Sequence, residues 1–425
     1  MSRSLLRMDV SPLRGSGAAS FRILYASRSV TLFGTQATDV ALLVQAKQLT
    51  GSAFAVGLLG VAELIPLVVF GLYGGVLADR LDRRRLLRWC EAGLGLLAAA
   101  LAGNAVAPHP AVWPLYALAA GMSVLTALQR PSLEAAIPRT VARGQLAAAA
   151  ALLSLSGNAG AIIGATVGGA IAAGPGAGWV YGFDTVSFAV SFLLLCRLRP
   201  LPPPDPGEHP AGPGLRAILD GLRYARGRPD LLGSYLADLA AMTLSYPNAV
   251  IPFIAASLHA SWATGLLFAA PSAGSLAVSA TGGWLSRVHR YGRAIALAAA
   301  GWGLAITGFG LAPDLAVALG CLFAAGAADM LSGIFRDTLW NQTIPDRLRG
   351  RLAGVEMLSY SVGPSAGQLR AGGVASLTTP RFAAWSGGLQ GVGAVGLVCL
   401  ALPAFWRFSG AGPQDVSRAP EPLAR

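Results

Sequence analysis

GLYGGVLADRLDRRRLLRW, Gly71 to Trp89, is where a long apolar run stops in a burst of charge. Before it, Phe54 to Leu77 carries one charged residue, Glu63. At ~1.5 Å per helical residue that run is long enough to cross a hydrocarbon core of about 30 Å. After it come Asp79, Arg80, Asp82, Arg83, Arg84, Arg85 and Arg88, which need water or lipid headgroups. Gly74 and Gly75 allow a neighbouring helix to come close, and Asp79 follows where a carboxylate can cap or pair across that contact. A basic cluster after a membrane helix is also, by itself, a topology signal. A weakened copy argues for more: GGVLADRLDRRR, Gly74 to Arg85, aligns without a gap to GGWLSRVHRYGR, Gly282 to Arg293, half a chain away.

Composition gives the class. With 54% hydrophobic residues, 12% charged and a mean hydropathy of +0.57, the 425 residues hold more apolar surface than one soluble core uses. This is the composition of a polytopic membrane protein. The net charge of +12 would fit nucleic acid only if basic residues clustered on a soluble domain, and they do not. Lys47 is the one lysine, and no glycine-rich loop precedes it, so the phosphate-cradling Walker pattern is absent and ATP is not the expected energy source. Cys90, Cys196, Cys321 and Cys399 show no metal-binding spacing, so no metal and no cofactor are expected. Without a G-x-S-x-G elbow or other nucleophile constellation, no enzyme is expected. The first twenty residues contain no run of signal-peptide length, so the N-terminus is expected to stay in the cytoplasm.

Apolar runs of spanning length lie near 23–46, 54–77, 89–107, 111–129, 147–172, 177–196, 231–255, 263–285, 294–312, 315–335, 353–376 and 383–406. Threaded from a cytoplasmic N-terminus, this twelve-span path puts all the basic residues except Lys47, Arg370 and Arg381 on one side, the side that positive loops keep cytoplasmic. Both termini then face the cytoplasm of a cell bounded by this membrane. The expected division is a tail at 1–22, a six-helix half at 23–196, a linker at 197–230, a second half at 231–406 and a tail at 407–425. The linker opens with the Pro-rich LRPLPPPDPGEHPAGPG and continues with Leu215, Ile218 and Leu222 at helical spacing, as in a short helix on the membrane surface. A second internal match, RGQL at Arg143 to Leu146 against RGRL at Arg349 to Leu352, with Arg130 and Arg336 at the same separation, supports a duplicated six-helix unit.

The loop after the second span resembles the signature of the major facilitator superfamily, G-x-L-x-D-R-x-x-R-R, through Gly75, Leu77, Asp79, Arg80, Arg83 and Arg84; the usual Gly before the basic pair is Asp82 here. The fifth span carries Gly160, Gly164 and Gly168, similar to that superfamily's exporter motif, with Ala165 where Pro usually follows the glycine; Gly363-Pro364 stands at the equivalent place in the eleventh. Taken whole, the chain resembles the twelve-helix drug exporters and, within them, the enterobactin-exporter-like branch. The resemblance implies an all-α membrane fold of two pseudo-symmetric six-helix halves. It also implies a gate in which Asp79 pairs with basic groups between the halves.

Charge inside the membrane costs roughly 2.5–3.5 kcal/mol per side chain, so each instance needs a reason. Asp39, Glu63, Asp184, Asp238 and Asp329 fall within spans. Arg28, Thr31, Thr35 and Asp39 share one helical stripe, with Gln36 at its edge, which gives the first helix a wet face and puts Arg28 near the cytoplasmic mouth. Glu63 stands three residues before Pro66, where a freed carbonyl and a kink suit a proton site. The competing reading is a structural ion pair or helix–helix hydrogen bond: Asp329 has Arg336 along its own helix, and Asp184 is placed nearer the outer surface. The expectation is a proton-coupled secondary transporter, monomeric in its lipid, expelling a drug-like or siderophore-like small molecule. An importer of the same fold and a non-transporting scaffold or receptor are the alternatives.

Overall fold

The computed structural model describes residues 11–13, 19–200, 223–344 and 346–410, with the side chains of 72–80, 143, 286 and 346–359 outside the described set. The Pro-rich linker with its surface helix at 215–222, most of both tails, and the side chains of Gly75, Asp79 and Arg80 therefore lie outside the described residues. Every described long element is a helix. In chain order they are α1 (Ala19–Thr50), α2 (Ala53–Arg80), α3 (Arg83–Val106), α4 (Trp113–Ala136), α5 (Leu146–Ala173), α6 (Ala177–Cys196), α7 (Pro229–Ser245), α8 (Ile251–Ser257), α9 (Thr264–Thr281), α10 (Tyr291–Leu311), α11 (Leu315–Thr343), α12 (Asp346–Leu377), α13 (Pro380–Ala401) and α14 (Pro403–Arg407). Each apolar run read from the sequence overlaps one of them.

Among the described residues, eight helical stretches are long and apolar enough to cross a membrane: α2, α3, α5, α6, α9 with its 3-10 extension, α10, α11 and α13. The remaining runs fall in α1, α4, α7 with α8, and α12, which carry polar residues such as Asp39, Gln129, Asp238 and Gln368. Two boundaries differ from the continuous spans expected. The run at 231–255 breaks into α7 and α8, because Pro247 offers no N–H and forces the residue before it out of the helical region; Tyr246 is extended, at φ −70° and ψ 118°. The copy of the charged stretch, at Gly282–Arg287, winds as a 3-10 helix where Gly74 to Arg80 continue α2 as α-helix.

Helix starts follow local chemistry. Asp82, where the family pattern has glycine, is the N-cap of α3: its Oδ1 accepts the Arg85 N–H at 3.0 Å. Asp314 caps α11 through the Val317 N–H and Thr379 caps α13 through the Phe382 N–H, with Pro380 at the first helical position.

The same pairing pattern occurs twice. In the first six helices α1 packs on α5 and α6, α2 on α4, and α3 on α4 and α6; in the second set α7 packs on α12 and α13, α9 on α11, and α10 on α11 and α13. The two sets meet where α2 packs on α12 and α5 on α9. These meetings are backbone-close. A side chain added at Gly372 would strike the Ala53 carbonyl, and one at Gly169 would strike the Gly265 backbone. Both of these glycine contacts lie toward the ends of α2, α5, α9 and α12 farthest from the Arg-rich loops.

Within the first half, α5 lies against α1 through Gly160, Gly164 and Gly168. A Cβ at Gly168 would collide with the Ala37 backbone, whereas one at Gly157, one turn before Gly160, would meet open space. Gly168→Val is therefore expected to destabilise the protein by about 1–3 kcal/mol through overpacking, and Gly157→Ala to be neutral. Thermal unfolding of the purified variants in detergent measures both; equal loss from the two would contradict the seam.

Candidate transport cavity

A cavity of about 410 Å³ opens between the two sets of helices, with Gln36 and Asp39 of α1 on one wall and Tyr246, Asn248, Trp302 and Asp329 among those on the other. The break between α7 and α8 is part of the wall, since Tyr246, Pro247, Asn248 and Ile251 all line it. Tyr246 stacks against Trp302 with ring centroids 6.4 Å apart, and its hydroxyl accepts the Asn248 amide at 3.0 Å. The buried Trp302 Nε1–H has no hydrogen-bond partner, a donor held beside an aromatic wall. Asp39, deep in the bundle, is exposed to this space. Glu63 stands back from the lining, near enough to Asp39 for their charges to interact.

The intramembrane acids named from the sequence separate here. Asp39 and Asp329 face one cavity from opposite sides. Asp238 does not join them. It forms a buried ion pair with Arg336, whose guanidinium lies over the rings of Trp340 and Tyr360 at 5.6 and 5.0 Å. Arg336 is thus engaged by α7 and by the two rings, a geometry that the pairing of Asp329 along its own helix did not anticipate. Asp184 is fully buried between α6 and α1; its Oδ2 accepts the Thr38 hydroxyl at 2.7 Å and its Oδ1 the Ser187 hydroxyl at 3.0 Å.

Glu91 is an acid that the sequence reading missed. It is buried in α3 and accepts the Gln129 amide of α4 at 2.7 Å. Its position, two residues inside the apolar run that begins at Trp89, was the available signal.

On the first helix, Gln36 lines the cavity, while Thr35 and Arg28 are half-buried on the same stripe. The Thr31 hydroxyl bonds back to the Ser27 and Arg28 carbonyls rather than outward. Arg28 shares the field of the exposed Arg130–Glu134 pair. Of the gate residues, Arg83 and Arg84 are described, and both bond within the first half: Arg83 Nη1 donates to the Ala135 carbonyl at 3.0 Å, and Arg84 donates to the Leu195 and Cys196 carbonyls at 3.3 and 2.5 Å. They neutralise the ends of α4 and α6. Gly363 packs against Met242 of α7, and Pro364 follows it inside α12.

The family model of the Major Facilitator Superfamily matches residues 24–367. The chain belongs to that superfamily. Among known relatives, the enterobactin exporter EntS of Citrobacter koseri is 30% identical over 413 residues, covering 95% of each chain. The enterobactin exporter EntS of Escherichia coli O1:K1 is 30% identical over 407 residues, covering 93% of this chain and 94% of the relative. Among solved structures, the nucleoside transporter NupG superposes with a TM-score of 0.73 at 12% identity, over 92% of this chain and 99% of its own. A bacterial homologue of the lysosomal transporter Spinster, inward-facing and unoccupied, gives 0.67 at 16% identity over 92% and 97%. The protein is a multi-pass membrane transporter of this fold, not an enzyme.

The two arginines at equivalent places in the halves separate experimentally. Removing the partner of a buried pair leaves an uncompensated charge, so Asp238→Ala should cost about 3–5 kcal/mol, whereas Glu134→Gln, at an exposed pair, should cost under about 1 kcal/mol. Denaturation midpoints of the two variants decide.

Proposed function

We propose that this chain is a proton-coupled exporter of a siderophore-like small organic molecule in the cytoplasmic membrane, monomeric, with both termini in the cytoplasm. The observation that carries the reading is the pair of carboxylates, Asp39 and Asp329, facing one cavity from opposite sides of the bundle. Its lining includes no lysine or arginine among the described residues. Two acids at the junction of rocking halves are suited to take protons from one side and release them to the other as access alternates. The same cavity offers hydroxyl- or amine-bearing substrates two acceptors, an aromatic wall and the free Trp302 indole N–H. Relatives named as enterobactin exporters over nearly the whole chain support the direction and the substrate class.

The orientation rests on the count of positive residues by side. With that orientation, the backbone-close glycine contacts and the two side-chain hydrogen bonds between the halves lie toward the outer end. Asp79, Arg80 and Gly75 remain the gate proposed from the family signature, and Arg83 and Arg84 anchor that loop to α4 and α6.

One charge moved through 100 mV supplies about 2.3 kcal/mol, enough for a concentration ratio of roughly fifty. In proteoliposomes given only a pH difference, radiolabelled enterobactin should accumulate with the parent protein. With Asp39→Asn, Glu63→Gln or Asp329→Asn at least one variant should lose accumulation while retaining downhill exchange. If all three still build a gradient, coupling lies elsewhere; accumulation with the opposite dependence on the pH gradient marks an importer, and no flux at all marks a scaffold. Single cysteines at Glu208 and Ala260 should label from opposite faces, and same-face labelling would overturn the orientation.

A further inference from the structure

We propose that Lys47 and Gln368 are the outer-gate residues of this transporter, the two side chains whose hydrogen bonds across the halves hold the outward side shut. Lys47 ends α1 in the first half, and its Nζ donates to the Pro252 carbonyl of α8 in the second at 2.7 Å, with the Phe253 ring 5.2 Å from the same ammonium. Gln368, buried in α12, donates through Nε2 to the Val56 carbonyl of α2 at 3.3 Å. Both are bonds from a side chain of one half to the main chain of the other, both are near the ends of the helices opposite the Arg-rich loops, and neither residue lines the cavity.

The chemistry suits a gate that must open. Each donor meets a carbonyl rather than a carboxylate, so separation leaves no unpaired buried anion, and the freed ammonium of the half-exposed Lys47 passes into water. Around these bonds the helices come backbone-close at two places: Gly57 lies against Gly372, and Gly169 against Gly265. Where glycines meet, no side chains interlock, and the two hydrogen bonds are the directional contacts beside them. Lys47 also grips α8, the short segment beyond the Tyr246–Pro247 break that forms a wall of the cavity, so the state of the gate reaches that wall through one short helix.

The assignment rests on the orientation proposed above, and the test separates the two. In a background with Cys90, Cys196, Cys321 and Cys399 changed to serine, Leu43→Cys places a thiol on the cavity lining. A membrane-impermeant maleimide is applied to intact cells and, separately, to inverted vesicles. Losing a charge-assisted hydrogen bond moves a two-state equilibrium by roughly tenfold. Lys47→Met with Gln368→Met should therefore raise labelling from the cell exterior about tenfold and lower it from inverted vesicles. Lys47→Arg, which keeps the donor and the cation, should label as the parent does. Unchanged labelling in the double variant, or an arginine variant behaving like the methionine one, overturns the gate. Lys47→Met alone provides the same comparison where the pair is poorly produced. If the parent labels fast from the exterior and slowly from vesicles, the orientation is wrong, and the gate stands or falls on the same change read from the vesicle face.

Discussion

A carboxylate taken out of water must meet water again, a hydrogen-bond donor or a cation, and this bundle is arranged around which of the three each acid meets. Asp39 and Asp329 meet the open space of the cavity. Asp184 meets two hydroxyls and Glu91 an amide, both between helices of the first half. Asp238 meets Arg336 beneath two aromatic rings. The last three are engaged inside one half and bind its helices to each other. The first two face the space between halves, where a changing arrangement changes their surroundings. Rigid halves around a responsive cavity are what alternating access requires.

The broken seventh span connects this arrangement to the fold. An unbroken helix would satisfy its own carbonyls and present only side chains to the cavity. Pro247 interrupts it, and the wall then includes Tyr246, Pro247 and Asn248 in extended or turn conformation, irregular backbone at membrane depth being tolerable where it lines a cavity. The first half has no matching break, since α1 runs unbroken from Ala19 to Thr50. Two copies of one six-helix plan have thus diverged at the place where the substrate is expected. The same divergence shows in the paired arginines: Arg130 is exposed beside Glu134, while Arg336 is sealed in the core.

What the sequence makes legible follows from what composition and period encode. Spans are legible because hydrocarbon requires long apolar runs, and the cavity stripe of α1 because Arg28, Thr35 and Asp39, with Gln36 at the edge, recur at helical spacing. The residues for which spacing misleads are those whose partner sits on another helix. Asp329 and Arg336 are two turns apart on α11, and only the packing of α7 shows that Asp238 takes the arginine. Asp184's two hydroxyl partners are not legible from its span: Thr38 sits on another helix, and Ser187 one turn on. Asp82 reads as a defect in a family motif and is the N-cap that starts α3. The glycine stripe of α5 is half legible: Gly168 is required by the Ala37 backbone, and Gly157, in the same pattern, touches nothing.

The contrast between the seams explains how one molecule can be both firm and mobile. Inside the first half, α1 and α6 run antiparallel and are joined along their length by Ser27 to Ser191, Thr38 to Asp184 and Gln45 to Tyr181, all buried. Separating those helices would strand several polar groups in hydrocarbon at once, each at a cost of several kcal/mol, so they move as a unit. Between the halves the described contacts include backbone-close glycines and two donors that reach carbonyls. Little there is left unsatisfied when it parts near water. The stability of each half and the looseness between them therefore have one physical origin, the placement of polar groups within seams rather than across them.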